Sequence, residues 1–429
     1  MKRFGLIVAV IAVLALTAVP VFSAGTGERV VQDEKVVLTY LAASNWIKDY
    51  EYEMAKVFEA ETGITVDFQE LPPDQYENVL RLKLTAQEGV DIFGLISGIP
   101  SLQRMQPEVN MVDLSNEPWA ANLKDWARVG ASYDGRLVGL NMWSVANNAI
   151  MYNVEIFERY GLEVPANYEE FLSVSDRLLA EGITPIYEFA HDLWHTQYWI
   201  ETLTHQEVLR DPDFIEKFNT NEIGYSDVES YRVGLGQLKE MQERGYFGAD
   251  LLSNTFEGSW GAMASGEYAM IMIWDSFGTE IESRFGVPES NFRMFPNPLA
   301  GNRVRSTTAG GILKIPYARS EDLNEVLEYF RFITQTDRLQ AYYDNSPDLS
   351  VPSMFGIEFQ PTAATAALDA ITREEGIGIE GLGLYYDAMV LGKFMQNLFL
   401  GTMTPDDVLR QMDAERGITA RAVSDPNWE

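Results

Sequence analysis

An α/β protein of two lobes, each a mostly parallel sheet flanked by helices, is the fold predicted by three observations. Strand and helix patterns alternate along the chain, which is the order that builds helix-covered parallel sheets. The helices are bracketed by capping residues and glycine stops. At 429 residues the chain is too long for one ordinary core, while 46% hydrophobic and 22% charged residues are the proportions of a globular protein. There is no internal repeat, low-complexity tract or composition break of a flexible linker. Two lobes joined by short crossings fit this better than separate beads.

The elements follow in order. "KVVLTYLAA" (Lys35 to Ala43) reads as a buried strand. In "DYEYEMAKVFEAETG", Met54, Val57 and Phe58 recur at helical spacing before Gly63 closes the helix. "ITVDFQEL" alternates as a strand, "DQYENVLRLKLTAQEG" sets Tyr76, Val79, Leu80 and Leu84 on one helical face, and "VDIFGLIS" is a third strand. Ligands of such a layered domain sit beyond the carboxyl ends of its strands. After "YDGRLVGLNMW", a second unit starts with "NVEIFERYG", capped by Asn153 and stopped by Gly161. "NYEEFLSVSDRLLAEG" repeats the device with Asn167, Glu170 and Gly182, and "ITPIYEF" follows as a strand. "SEDLNEVLEYFRFI" has helical spacing from Leu323 to Ile333. "TPDDVLRQMDAE" opens with Thr404 as cap, Pro405 in the first turn and Asp407 returning the bond.

The N-terminus is a different object. Lys2 and Arg3 precede an apolar run from Phe4 to Val19, then Pro20 and small residues through Ala24. That order is a secretory signal peptide over residues 1–24, with cleavage after Ser23 or Ala24. The other reading, a membrane anchor, needs a longer run of roughly 20 apolar residues. With no cysteine there is no lipid-attachment site, disulfide or thiolate chemistry. An exported protein without a lipid anchor points to a periplasm. The formal charge of −32 deepens when Lys2 and Arg3 leave, and it excludes nucleic acid and anionic lipid as partners. It would suit a cationic ligand, but the scattered acids equally read as a solubility adaptation.

Motifs for chemistry are weak. "GIGIEG" holds Gly376, Gly378 and Gly381 in a dinucleotide-like pattern, but it follows the helical "AATAALDAITREE" rather than a strand, so Gly376 reads as a helix stop. "HDLWH" puts His191 and His195 four apart, with Glu201 and His205 downstream. It lacks the glutamate of a zinc-protease helix, and an aromatic and polar wall with Trp194, Tyr198 and Trp199 is the alternative to a metal site. Carboxylates are too abundant for any chosen pair to mean a glycosidase. No serine elbow, thiol nucleophile or phosphate loop supports an enzyme, and no cofactor is implied.

What remains is aromatic. "SGEYAMIMIWD" runs as a buried strand from Tyr268 to Ile273 and stops at Trp274 beside Asp275. Either Trp274 caps a core or it stands at the mouth of a cleft. Trp46, Trp143 and Trp194 also follow strand or turn signals. An indole there offers a flat apolar face to the C–H side of a sugar ring, with polar neighbours for the hydroxyls.

The segment "YDGRLVGLNMW…NNAIMYNVEIFERYGLEVPANYEEFLSVSDRLLAEGITPI" resembles the central signature of extracellular sugar-binding proteins of ABC importers, the maltose-binding-protein-like class. "SGEYAMIMIWDSF", "STTAGGILKIPYARSEDLNEVLEYFRFITQTDRLQAYY" and "TPDDVLRQMDAE" are similar to later segments of that class, in the same order from Val36 onward. Asn141 replaces a usual Pro, Tyr168 a common Trp, and Ile273 a Gly before Trp274. The resemblance implies a two-lobed periplasmic-binding-protein fold, with residues 36–130 and 309–349 in lobe 1 and residues 131–308 and 350–429 in lobe 2. Three crossings would lie near Arg128 to Tyr133, Thr308 to Gly311 and Leu349 to Pro352. It also implies a cleft formed by Asn45, Trp46, Ser97, Asn141, Trp143, Trp194, His195, Trp274 and Asp275, with Gly310 and Gly311 letting backbone approach the ligand, and Tyr385 and Tyr386 in the last segment. A monomer that captures a carbohydrate and docks on permease subunits is the expectation. A polyamine or peptide receptor and a carbohydrate hydrolase are the competing ones.

Overall fold

The computed structural model describes residues 35–428 apart from Gly89, Ala309, Pro347 and Ser350. The expected signal peptide, residues 1–24, lies outside them. In chain order the strands are β1 (Val37–Ala43), β2 (Thr65–Leu71), β3 (Ile92–Ile96), a small hairpin of β4 (Ser132–Tyr133) and β5 (Arg136–Leu137), β6 (Leu140–Asn141), β7 (Ser144–Val145) and β8 (Asn147–Asn153). Then come β9 (Thr184–Tyr187), β10 (Tyr268–Trp274), β11 (Phe292–Phe295), β12 (Arg305–Thr307), β13 (Ile312–Pro316), β14 (Val351–Pro352) and β15 (Glu375–Ile377).

Two sheets organise these strands. The first has the order β2-β1-β3-β13-β6; the second runs β15-β12-β8-β10-β9, with β11 also paired to β8. Each has its own buried core. Leu38, Tyr40, Phe58, Ile92 and Phe330 lie in the first, and Ile150, Phe171, Trp199, Met270 and Leu398 in the second. Period-2 strands and amphipathic helices leave one apolar face each, and stacking those faces removes them from water.

Each sheet contains one reversed strand. β1, β2 and β3 are mutually parallel, but β13 is antiparallel to both β3 and β6. In the second sheet β9 is parallel to β10 and β12 to β15, whereas β8 opposes β10, β11 and β12. The reversed strands are those that follow a crossing. A chain arriving from the other lobe enters at the facing edge and must run away from it, while the other strands run toward it. Both sheets therefore point their strand ends at one another.

The helix boundaries follow the capping logic. Gly63 is left-handed at φ 79° after the helix Asp49–Thr62. The Asn153 and Asn167 side chains accept from Ile156 N and Glu170 N, and Thr404 and Asp407 form a reciprocal capping box. One boundary differs. The helix Ala363–Ile371 ends at Thr372, and Gly376 lies instead in the edge strand β15, where a Cβ would collide with the His205 ring.

The crossings lie later than two of the expected ones. Ala131, Leu137, Val138, Leu140 and Met142 belong to the first core, and β6 pairs with β13 of the first sheet. The chain therefore leaves that sheet between Met142 and Asn147, not near Arg128 to Tyr133, because the apolar side chains of 131–142 complete the first core. Likewise Met354 and Ile357 pack on the first core, and Thr362 is the first residue to bond the second, donating to Asp275 O at 3.1 Å. Between the sheets, β7 and β14 pair as a short antiparallel ladder. Ala146 and Thr308 exchange bonds beside it, with Thr308 N donating to Ala146 O at 2.9 Å.

Candidate functional site

At the first lobe's edge, β1 ends at Ala43 and the chain turns through exposed Asn45, whose φ is 71°. Trp46 then sits edge-on to Tyr76 at 4.9 Å between ring centroids. Gly94 makes room for it, since a Cβ there would lie 3.1 Å from Trp46 Cε3. Ser97, just past β3, is buried and donates its N–H to Gly311 O at 2.8 Å. Half-buried Trp143 carries the Lys48 ammonium 3.9 Å above its ring centre, and the same ammonium pairs with Asp348.

Gly310 and Gly311 were expected to let a ligand approach the backbone. Their φ angles of 102° and 66° do require glycine. The space they leave is filled by the protein: a Cβ on Gly310 would strike Trp126 and the Asn141 amide, and one on Gly311 would overlap the Trp143 indole.

The second lobe's edge is built differently. β10 delivers Trp274, which lies near-parallel to Trp194 at 6.3 Å between centroids and an interplanar angle of 25°. Phe256 packs against both, 5.6 Å from Trp194 and 5.5 Å from Trp274. Glu280 fixes the cluster from below. Its Oε1 accepts from Trp274 Nε1 at 2.8 Å and its Oε2 from Trp260 Nε1 at 2.9 Å. Burial pushes this carboxyl above its ordinary value, and the two indole hydrogen bonds pull it back. Asp348 adds to the upward shift and Lys48 opposes it. Those charges belong to the first edge, so the two edges lie within electrostatic reach of each other.

Four expected site residues face inward instead. Asn141 is fully buried; its Nδ2 donates to Gly310 O and its Oδ1 accepts from Trp143 N, both at 2.9 Å. His195 is fully buried and stacked on Phe189, with Nδ1 2.6 Å from Glu188 Oε1 and Nε2 2.6 Å from Met272 O. Asp275 accepts from Asn147 N, Asn147 Nδ2 and Thr365 Oγ1, tying the start of β8 to the helix Ala363–Ile371. Tyr386 is buried and donates to Gln197. Their polar atoms are committed to protein partners, and they act as braces of the edges. Tyr385 is half-buried, with its hydroxyl donating to Asp425 at 2.6 Å and Gln103 Nε2 3.4 Å away.

The histidines do not converge on a metal. His191 is exposed beside Asp192, His195 is enclosed, and His205 lies against Gly376. Among the described residues no group of three or more His, Cys, Asp or Glu could hold an ion.

Charged members of the edges were missed from the sequence: Lys48, Asp348 and Glu280. Lys48 sits two residues after a predicted site tryptophan, and Glu280 falls one helical turn and more after another, so strand-end position was the available signal. Nothing local marks Asp348.

Two α/β lobes joined by three crossings, with Glu280 of the second within electrostatic reach of Lys48 and Asp348 of the first, have the build of a hinged pair of lobes. Residues 43–337 match the family model of the bacterial extracellular solute-binding proteins, and the chain belongs to that family. A sequence comparison with curated proteins gives no match. Among solved structures, the chain is similar to a Bacillus licheniformis sugar transporter in complex with stachyose: TM-score 0.71, 20% identity, 89% of this chain and 99% of that chain covered. It is also similar to a chitin oligosaccharide binding protein, with TM-score 0.73, 16% identity and 91% and 100% of the two chains covered. An ABC transporter solute-binding protein from Thermotoga lettingae, bound with α-D-tagatose, gives 0.70 and 15% over 89% and 98%. At these identities the likeness is one of fold.

Proposed function

We propose that this protein is the exported solute receptor of an ABC importer, which captures a sugar or short oligosaccharide between its lobes and delivers it to permease subunits. The observation that carries the reading is the Trp194–Trp274 pair, held by Glu280, whose carboxyl lies within electrostatic reach of Lys48 and Asp348 on the other lobe's edge. Flat indole faces suit the apolar side of a pyranose, and fixed rings lose little entropy on binding. The stachyose, chitin oligosaccharide and tagatose named for structural neighbours support the same ligand class. The leader read over residues 1–24 and the lack of cysteine support a periplasmic receptor without a lipid anchor.

Closure in this reading bends the chain at residues 143–147, 308–311 and 351–361, where it passes between the sheets. The family binds solute rather than transforming it, and we infer that the chain has no hydrolase activity. A thermal-shift screen across mono-, di- and oligosaccharides tests the proposal, because a ligand that binds only the folded state raises Tm. Stabilisation by one sugar class, without release of label from a chromogenic glycoside, is the expected result. No shift with any sugar would end it.

A cationic solute is the second reading, favoured by Asp348 and Glu280 near the gap. Its binding would weaken steeply with salt, whereas that of a neutral sugar would not.

A further inference from the structure

A groove of about 730 Å³ lies in the second lobe between the helix Ala363–Ile371, β11 with the prolines that follow it, and the turn 164–166. It shares no lining residue with the edges of the gap. The helix sequence explains why the space stays open. Ala364, Thr365 and Leu368 are its buried face. The face toward the groove is Ala363, Ala366, Ala367 and Ala370, whose methyl groups cannot fill it. Pro296 and Pro298 stiffen the opposite wall, since each ring locks its own φ. Val164 and Ile371 line the groove while 37% and 52% exposed, so apolar surface is held open to water there.

Arg293 of β11 and Arg303 also line the groove, and both are exposed. Among the described residues neither pairs with a carboxylate, in a chain with 64 acidic residues to 32 lysines and arginines. Arg305, two residues on, shows the usual outcome in such a chain: it pairs with both Asp369 and Glu375. The loop that carries Arg303 is braced by Asn302, whose Nδ2 donates to Asn297 O at 2.8 Å and to Val304 O at 2.9 Å. Two guanidiniums without acidic partners beside an apolar hollow complement a ligand with an anionic end and an apolar body. The volume is that of a small-molecule site.

We propose that this groove binds a free amphiphilic carboxylate, with its tail along the alanine face of Ala363–Ile371 and its carboxylate on Arg293 and Arg303. Taking the tail out of water supplies affinity, and the guanidiniums supply the preference for an anion. The ligand comes from solution rather than from a bilayer. A net charge of −32 repels an anionic membrane surface as a whole, whereas one small carboxylate answers to the charges within a Debye length of it. The site stands whether or not the gap holds a sugar, since Trp194 and Trp274 take no part in it.

Titration calorimetry of the purified protein with decanoate, below its micelle concentration, is expected to show a saturable site. Acetate, which lacks the tail, and decanol, which lacks the charge, should each bind at least about tenfold more weakly. Arg293→Gln combined with Arg303→Gln should weaken decanoate about tenfold. Salt should weaken decanoate in wild type and hardly at all in that double variant. Ala367→Phe fills the hollow and should abolish binding. Ala370→Trp, at an exposed position, gives the same readout if Ala367→Phe fails to fold. The response to sugars in the thermal-shift screen should be the same in these groove variants as in wild type. No saturable binding, equal affinity for decanol, or undiminished binding in the folded groove variants would overturn the proposal. So would decanoate binding that Trp274→Ala abolishes, which would put the ligand in the gap, or binding to anionic vesicles alone. Decanoate binding without any sugar response would leave the groove site standing and remove the carbohydrate reading.

Discussion

The two edges of the gap solve the same problem in opposite ways. On the second lobe, Trp194, Trp274, Phe256 and Trp260 form one contiguous aromatic cluster, tied by a carboxylate that accepts from two indoles. On the first, Trp46 and Trp143 stand apart, one against Tyr76 and the other beneath Lys48. A ring with many neighbours is preorganised, whereas a ring whose face is covered by a flexible ammonium must be uncovered to be used. In the proposed receptor the second edge is therefore the platform and the first the adjustable cover. Preorganisation, not the number of tryptophans, sets which edge dominates affinity.

The largest effect expected of a single change lies beneath the cover. Gly311→Val forces a branched side chain into φ 66° and into the Trp143 indole. Backbone strain of about 1–3 kcal/mol adds to overpacking of similar size. A large fall in denaturant midpoint, with loss of binding, is the expected outcome. A midpoint unchanged from wild type would mean that Trp143 is not held where it lies.

Next comes the platform itself. Trp274→Ala should weaken sugar binding by about 1–3 kcal/mol in calorimetry without unfolding the protein. Trp46→Ala, at the looser edge, should cost less. Equal losses at the two positions would erase the distinction between platform and cover. Glu280→Gln sharpens the same point at smaller scale. The carboxamide oxygen serves one indole, but its NH2 meets the other donor to donor, so one ring loses its anchor. A loss of about 1 kcal/mol in affinity, roughly fivefold, is expected.

The sequence revealed the fold where periodicity and caps are local. Asn153, Asn167 and Thr404 cap the helices expected of them, and β1 to β3 fall where apolar runs do. It did not reveal strand direction. β8 and β13 are reversed because of where the chain crosses, which no local pattern encodes. The crossings were misplaced for a related reason. Leu137, Val138 and Leu140 are apolar in any lobe, and only pairing with β13 assigns them to the first. Trp46, Trp143, Trp194 and Trp274, expected at a cleft from their places at strand and turn ends, are all half-buried. Asn141, His195 and Asp275 stand at such ends too, but polar side chains there can turn inward to brace the edge, and periodicity does not separate bracing from binding. The carboxylates of Glu280 and Asp348 were illegible because they are two among 64 acidic residues.

Lys48 offers the smallest effect and the finest discrimination. Its side chain is 15% exposed and that of its partner Asp348 is 36% exposed, so the pair is worth about 0–1 kcal/mol to stability. The ammonium over Trp143 contributes about 0.5–1 kcal/mol more. Lys48→Met should therefore move Tm only slightly. Binding is where the variant speaks. A neutral sugar that stacks on Trp143 must displace the ammonium, so salt, by weakening the Lys48–Asp348 pair, should leave wild-type affinity flat or slightly improved. Lys48→Met should then lose even that small dependence. A cationic solute behaves oppositely: wild-type affinity falls with salt, and removing a competing positive charge strengthens binding at low salt. The salt titration of this one variant thus separates the two ligand classes, and a steep fall in both proteins would move the assignment from sugar to cation.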